Sequence, residues 1–189
     1  MGLKLFRSTG YSSLLMAGEA RLAMHPGWMI LAVSLWAGFV SNVALWRVLA
    51  GNDPSHSVIH VLALGACIAG ACAMVLSLLG WRKTLKPTAT VLLFVAALAA
   101  SSIWSQALPV DATLLDQRPS SVLIPPWASL LRWQVSGGLA VLALVPSVWV
   151  WQKSLRRLPG PQQLVVTLTG IVLGFAVLAG AAWLLSHGL

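Results

Sequence analysis

The chain contains apolar runs that are long enough to cross a lipid bilayer. The clearest extends from Thr88 to Trp104 without a charged residue, with Lys86 before it and Asp111 after it. A charged side chain at the bilayer centre costs about 2.5–3.5 kcal/mol, so both flanking charges must lie outside the hydrocarbon. The run therefore predicts a membrane-spanning helix, and Pro87 fits its first turn, where no N–H donor is needed.

The composition extends this prediction to the whole chain. Its 189 residues are 58% hydrophobic and only 8% charged, which excludes a soluble globular domain. At roughly 20 residues per crossing there is room for about five helices. We predict an all-α, polytopic membrane protein with an N-terminal segment at 1–26 and a transmembrane domain at 27–189. The expected crossings are 27–50, 57–80, 87–108, 129–152 and 164–186, with an outer loop at 109–128.

The distribution of cations predicts the orientation. Nine of the Lys and Arg residues fall on one side of the proposed crossings and three on the other, and this bias is typical of the cytoplasmic side. The N-terminus is therefore expected in the cytoplasm and the C-terminus outside. The net charge of +8 then reflects membrane topology, and we expect no nucleic-acid partner.

The N-terminal segment does not resemble a cleavable export signal. Arg7, Glu19 and Arg21 interrupt the apolar core that such a signal needs. A short helix lying on the membrane surface and a frayed cytoplasmic tail both remain open as interpretations.

Small residues predict where helices pack closely. The second crossing carries a face of small residues, and the fifth carries two pairs of small residues, each pair four residues apart. We therefore expect the second crossing to be central in the bundle. The residues are Gly65, Ala66, Ala69, Gly70 and Ala73 in the second crossing, and Gly170, Gly174, Ala176 and Gly180 in the fifth.

Two features interrupt the apolar crossings. Asn42 lies deep in the first, where its amide needs a hydrogen-bond partner, and we expect that partner on another helix rather than in a ligand. Pro146 lies within the fourth, where we expect a kink whose freed carbonyls are satisfied by neighbouring helices.

No metal or cofactor site is expected. Cys67 and Cys72 are five residues apart in an apolar run and point to different sides of a helix, so we predict neither a disulfide nor a metal site. A b-type haem subunit remains an alternative, because His56 or His60 and His187 fall at the same predicted depth. We interpret the histidines as interfacial polar residues.

Several motifs resemble a known family. A short basic turn at 81–87 precedes the third crossing, Ile103-Trp104-Ser105-Gln106 ends it, Val110-Asp111-Ala112-Thr113-Leu114-Leu115 follows, and Leu142-Ala143-Leu144-Val145-Pro146-Ser147 lies in the fourth crossing. In this order they are similar to the N-terminal membrane domain of the lipid A phosphoethanolamine transferases. The resemblance covers roughly Trp28 to Leu185.

The resemblance implies a role in lipid binding without chemistry. The family's reaction takes place in a large outer domain with a threonine nucleophile and zinc, and this chain ends at Leu189. What it implies here is a polar patch for a phospholipid headgroup, with a solvated loop as the alternative. Gln117 and Ser121 fall where the family has Asn and Thr, and Pro125 falls near its Glu. The candidate residues are Asp111, Gln117, Arg118 and Ser121.

Two functions therefore stand beside the haem alternative. In one, the protein is a non-catalytic accessory or assembly subunit of a larger membrane complex, respiratory or photosynthetic, which it contacts through its small-residue helix faces. In the other, it is the membrane anchor of a split or truncated phosphoethanolamine transferase and presents phosphatidylethanolamine.

Overall fold

The computed structural model of the protein describes residues 23–50, 58–81, 83–106, 126–156, 158 and 160–187. This part of the chain is helical apart from short connections and one backbone bridge, which confirms the all-α prediction. In chain order its elements are α1 (Pro26–Leu35), the π-helical segment π1 (Trp36–Val40), α2 (Val43–Leu49), α3 (Val58–Leu79), α4 (Leu85–Ser105), α5 (Trp127–Leu130), α6 (Trp133–Leu139), the π-helical segment π2 (Ala140–Leu144), α7 (Val145–Gln152) and α8 (Gly160–Ser186).

Four of these stretches are long and apolar enough to cross a membrane as single helices: α3, α4, the continuous run α6–π2–α7, and α8. A fifth is formed by α1, π1 and α2 together, although the chain bends by 54° at the break between Val40 and Val43. The protein is therefore a multi-pass membrane protein, with four to five spans among the described residues.

α3 is the central helix, as its small residues predict. It packs against α8 on one side and against α1, π1 and α2 on another, and it also contacts α4. The contacts are close because glycines face each other. A Cβ on Gly65 would lie 2.8 Å from the Gly38 carbonyl oxygen, and a Cβ on Gly70 would lie 2.8 Å from the Gly174 carbonyl oxygen. Larger side chains would push these backbones apart.

The largest buried apolar cluster joins four elements. Met29 of α1, Leu76 of α3, Leu93 of α4 and Val150 of α7 are each completely buried, and Leu85 closes the cluster at the start of α4. In lipid such contacts stabilise mainly through van der Waals packing, because the hydrophobic effect does not drive helices together there.

The two ends of the bundle differ in charge. One end, which we call the basic end, brings together Lys83, Lys86 and Arg156. The opposite end carries Arg47, whose Nη2 donates to the Ile103 carbonyl at 3.0 Å. Exposed tryptophans lie towards both ends, as indoles at membrane interfaces do. They are Trp28, Trp81 and Trp151 near the basic end, and Trp46, Trp104, Trp133 and Trp183 near the opposite end.

A backbone clasp joins distant parts of the chain at the basic end. The Met24 N–H donates to the Ser154 carbonyl at 2.8 Å, and the Arg156 N–H donates to the Met24 carbonyl at 3.0 Å. The start of α1 is thereby tied to the segment between α7 and α8.

Three predicted crossings need correction. The first is broken rather than continuous. The fourth begins at Trp133, after a separate turn of helix in α5, because the Arg132 backbone is extended (ψ 122°). The fifth begins at Gly160, within the predicted turn, because Pro161 stands in the first turn of a helix and displaces no hydrogen bond there.

Candidate functional site

The break in the first crossing is built by Ser41 and Asn42. π1 ends where the Ser41 N–H donates to the Trp36 carbonyl at 3.0 Å, and the Asn42 backbone is then extended (ψ 99°). The Asn42 side-chain Oδ1 accepts a hydrogen bond from the Leu45 N–H at 3.3 Å and so caps the start of α2. The expected bond from Asn42 to another helix is therefore wrong, since the amide serves the N-terminus of its own helix.

Nearby side chains satisfy part of the exposed backbone at this break. The Trp46 indole Nε1 donates to the Val40 carbonyl at 2.9 Å. Two polar atoms are left over: the Ser41 hydroxyl and the Asn42 Nδ2 are buried and find no hydrogen-bond partner within the described residues. Ser41 and Asn42 are only 8% and 6% exposed. An unsatisfied buried polar group costs about 1–3 kcal/mol, so both atoms favour a bound polar group.

A cavity of about 450 Å³ opens beside the break, and we call it the break cavity. It lies between α2, the last turns of α4 and the start of α6. This is the end of the bundle from which residues 107–125 leave α4 and return to α5. Its polar lining comes from Ser41, Ser101 and Gln134, and Trp46 and Trp104 stand beside them.

The lining of the break cavity can hold a ligand through hydrogen bonds. The Ser41 hydroxyl and the Gln134 amide offer donors and acceptors, whereas the Ser101 hydroxyl is already bonded to the Leu98 carbonyl at 2.9 Å. Nothing in its lining titrates near neutral pH. Across the described ranges, moreover, no three His, Cys, Asp or Glu residues are placed to hold a metal ion. Its volume lies within the ~300–1,000 Å³ of small-molecule pockets.

The predicted accommodation of Pro146 is confirmed on the neighbouring helix. An ordinary α-helix would pair the Leu142 carbonyl with the N–H of residue 146, which proline lacks. In the structure the Trp36 indole Nε1 donates to that carbonyl at 3.1 Å. The Trp36 side chain of π1 thus links the two π-helical segments, because the carbonyl that it binds belongs to Leu142 of π2.

The four residues predicted to bind a headgroup lie outside the described residues, so that prediction stays a prediction: Asp111, Gln117, Arg118 and Ser121. The described residues that flank this segment, Gln106 and Pro126, both lie at the end of the bundle that holds the break cavity. The Gln106 Nε2 donates to the Ser102 hydroxyl at 2.8 Å.

The histidines are placed as follows. His25 caps α1, because its Nδ1 accepts from the Gly27 N–H at 3.1 Å. His187 contacts the Trp183 carbonyl through Nδ1 at 3.0 Å, and its ring lies against the Trp183 ring. His60 lies on the first turn of α3, and His56 is outside the described residues. Cys67 and Cys72 are free thiols on α3.

Sequence reasoning missed the break cavity, although one signal pointed to it. Ser41-Asn42 is a polar pair inside an apolar run, and such a pair marks a helix break as readily as a bond between helices. Nothing near Gln134 in the sequence indicates that its amide would face the same space.

Comparison of the chain with family models, with curated proteins and with solved structures finds no match.

Proposed function

We propose that this protein is a non-catalytic integral membrane protein that serves as an accessory or assembly subunit of a larger membrane complex, of the respiratory or photosynthetic kind. The observation that carries the proposal is the position of α8 at the edge of the bundle. Only 11% of the residues in the most apolar 18-residue stretch of α8 are buried, against 39% of those in the corresponding stretch of α3. This surface is open to lipid or to a second membrane protein, and small residues on it favour a protein because they permit close helix packing.

The two small-residue pairs of α8 divide between an occupied and an open face. Gly170 and Gly174 pack against Ser77 and Met74 of α3. Ala176 is exposed, and a Cβ added to Gly180 would meet no atom of the described residues within 4 Å. This open face supports close approach by a partner's helix.

The test is a native purification of the full chain with Gly180→Leu, followed by mass spectrometry of the proteins that remain bound in stoichiometric amount. Gly137→Leu is the matched control, because a Cβ at Gly137 of α6 also meets no atom of the described residues within 4 Å. We expect Gly180→Leu to release the partner and Gly137→Leu to retain it. Equal retention in both variants, or no stoichiometric partner in the wild-type protein, would contradict the proposal.

A second function is favoured by the break cavity. In this alternative the protein is the membrane anchor of a split or truncated lipid A phosphoethanolamine transferase and presents phosphatidylethanolamine. The unpartnered Ser41 hydroxyl and the nearby Gln134 amide support it, since both suit a polar lipid headgroup.

Deletion of the gene separates the two functions. Loss of phosphoethanolamine from lipid A, restored by wild-type protein but not by a Ser41→Val/Gln134→Leu variant, would support the anchor function. Unchanged lipid A together with loss of a membrane complex on native gels would support the subunit function. The control variant is Ser136→Val, which removes an exposed hydroxyl near the same end but outside the cavity.

A further inference from the structure

A pocket at the basic end collects cations from separate connections. Lys83 and Lys86 come from the turn before α4, and Arg156 comes from the segment after α7. The pocket has a volume of about 450 Å³. We call it the basic pocket.

Lys86 is held towards this end by an aromatic neighbour. Its Nζ donates to the Trp151 carbonyl at 3.3 Å and lies 5.8 Å from the centroid of the Trp151 ring. The Trp151 indole is itself fixed by a hydrogen bond from Nε1 to the Thr90 hydroxyl at 3.1 Å. The ammonium group therefore stays near the membrane surface, where an anionic headgroup lies.

An apolar cleft lies next to the basic pocket, between α1, α3 and α8. Its volume is about 420 Å³, and its walls include Trp28, Leu31, Ala73 and Leu173. The residues that line the cleft and those that line the pocket are close neighbours in the sequence. Pro26 of the pocket lies between His25 and Gly27 of the cleft, Gly80 follows Ser77, and Gln163 precedes Val165.

Two hydroxyls in the wall of this cleft have no hydrogen-bond partner in the part of the chain that the structure describes. Ser34 and Ser77 both line it, they are 2% and 1% exposed, and each Oγ finds no hydrogen-bond acceptor or donor within the described ranges. The Ser77 hydroxyl is turned towards Gly170 across the cleft wall. At 1.5 Å per residue, Ser77 lies about 3 Å from the Leu79 end of α3, near the basic end of the bundle. A buried hydroxyl there can donate to an ester carbonyl of a bound lipid.

We propose that the basic end of the bundle binds one anionic phospholipid of the adjoining leaflet, with the lipid phosphate in the basic pocket and one acyl chain in the apolar cleft. A phospholipid fits this end of the bundle because its phosphate and its acyl chains adjoin in the same order as the cationic and the apolar walls. Basic pockets between membrane helices bind anionic headgroups in this way. It is independent of the proposed function, because it uses the end of the bundle opposite the break cavity and does not use Gly180.

The charge of the pocket selects among lipids. A phosphatidylethanolamine headgroup carries an ammonium that would be repelled by Lys83 and Lys86, whereas a phosphatidylglycerol headgroup carries none. We therefore expect phosphatidylglycerol to bind in preference, and high salt to weaken its binding.

The experiment is a native mass-spectrometric titration of the purified full chain with phosphatidylglycerol and, separately, with phosphatidylethanolamine. Lys83→Gln/Lys86→Gln alters the pocket. Two cations near an anionic surface together account for about a 30-fold change in affinity, which is the loss we expect. The control is Lys153→Gln, which removes an exposed cation at the same end that does not line the pocket.

A second pair of variants tests the cleft. Thr169→Phe places a ring in the cleft, and Val172→Phe places the same ring on an exposed position of α8 outside it. We expect Thr169→Phe to abolish the bound lipid at concentrations that saturate the wild type, and Val172→Phe to leave binding unchanged. Circular dichroism and size-exclusion profiles establish that each variant is folded.

Three results would overturn the proposal. Equal loss with Lys153→Gln and with the pocket variant would show general attraction to a basic surface. Unchanged binding in Thr169→Phe would remove the acyl chain from the cleft. Release of a copurifying protein by Thr169→Phe, without loss of phosphatidylglycerol, would assign the cleft to a partner's helix.

Discussion

The hydrogen bond from Trp36 to Leu142 should contribute less to the free energy of unfolding when Pro146 is replaced by alanine. In the native protein the Leu142 carbonyl has no N–H donor at position 146 and is served by the Trp36 indole at 3.1 Å. Trp36→Phe keeps a ring at this position and leaves the carbonyl unpaired. Hydrogen bonds between membrane helices contribute about 0.6 kcal/mol on average and up to about 1.7 kcal/mol. We expect a loss near 1 kcal/mol, or about fivefold in the folded-to-unfolded ratio.

Pro146→Ala supplies the missing N–H within the helix. The Leu142 carbonyl then has an intrahelical donor, so Trp36→Phe should cost less in this background than in the native one. The difference between the two costs is the coupling energy of a double-mutant cycle, and we expect about 1 kcal/mol.

The assay is equilibrium unfolding in mixed micelles, followed by circular dichroism because tryptophan itself is replaced. Trp149→Phe is the control, since Trp149 lines the same small cavity as Trp36 and Pro146. Its cost should be equal in both backgrounds. A cost for Trp36→Phe that is the same in the native background and in the Pro146→Ala background, to within ~0.5 kcal/mol, would refute the reasoning.

Three further predictions concern stability and topology. Gly174→Leu should destabilise the protein by about 1–3 kcal/mol or more, because its side chain would meet the α3 backbone at Met74, whereas Gly180→Leu should change the thermal midpoint little. Asn42→Ala should cost about 1 kcal/mol by removing the cap of α2, and Asn42→Ser should recover most of that loss in the same unfolding assay. In a background without native cysteines, Lys83→Cys and Arg132→Cys should react with an impermeant maleimide from opposite sides of the membrane, and labelling from one side alone would contradict the predicted orientation.

The architecture follows from the sequence where the bilayer imposes it. Apolar length predicts α3 and α4 to within three residues at either end, because every backbone group in lipid needs an internal partner. Glycine content also predicts that α3 is central, since Gly65 and Gly70 permit close approach of neighbouring helices.

Breaks within a crossing are harder to predict from the sequence, because a buried polar group can find its hydrogen-bond partner in several ways. The amide of Asn42 has a partner on its own helix where a neighbouring helix was expected, and composition alone does not distinguish these outcomes. The break cavity and the basic pocket depend on which side chains of different helices face the same space, as those of Gln134 and Ser41 do. The rotation of each helix about its axis sets this, and apolar length does not determine that rotation.

The clasp between Met24 and Leu155 has a consequence for biosynthesis. Its partners are separated by the first four crossings, so it can close only after the ribosome has delivered the fourth crossing to the membrane. Until then the start of α1 lacks the two hydrogen bonds of the clasp, and the early helices insert without them. The clasp can therefore form only late in synthesis, after the first four crossings have been made.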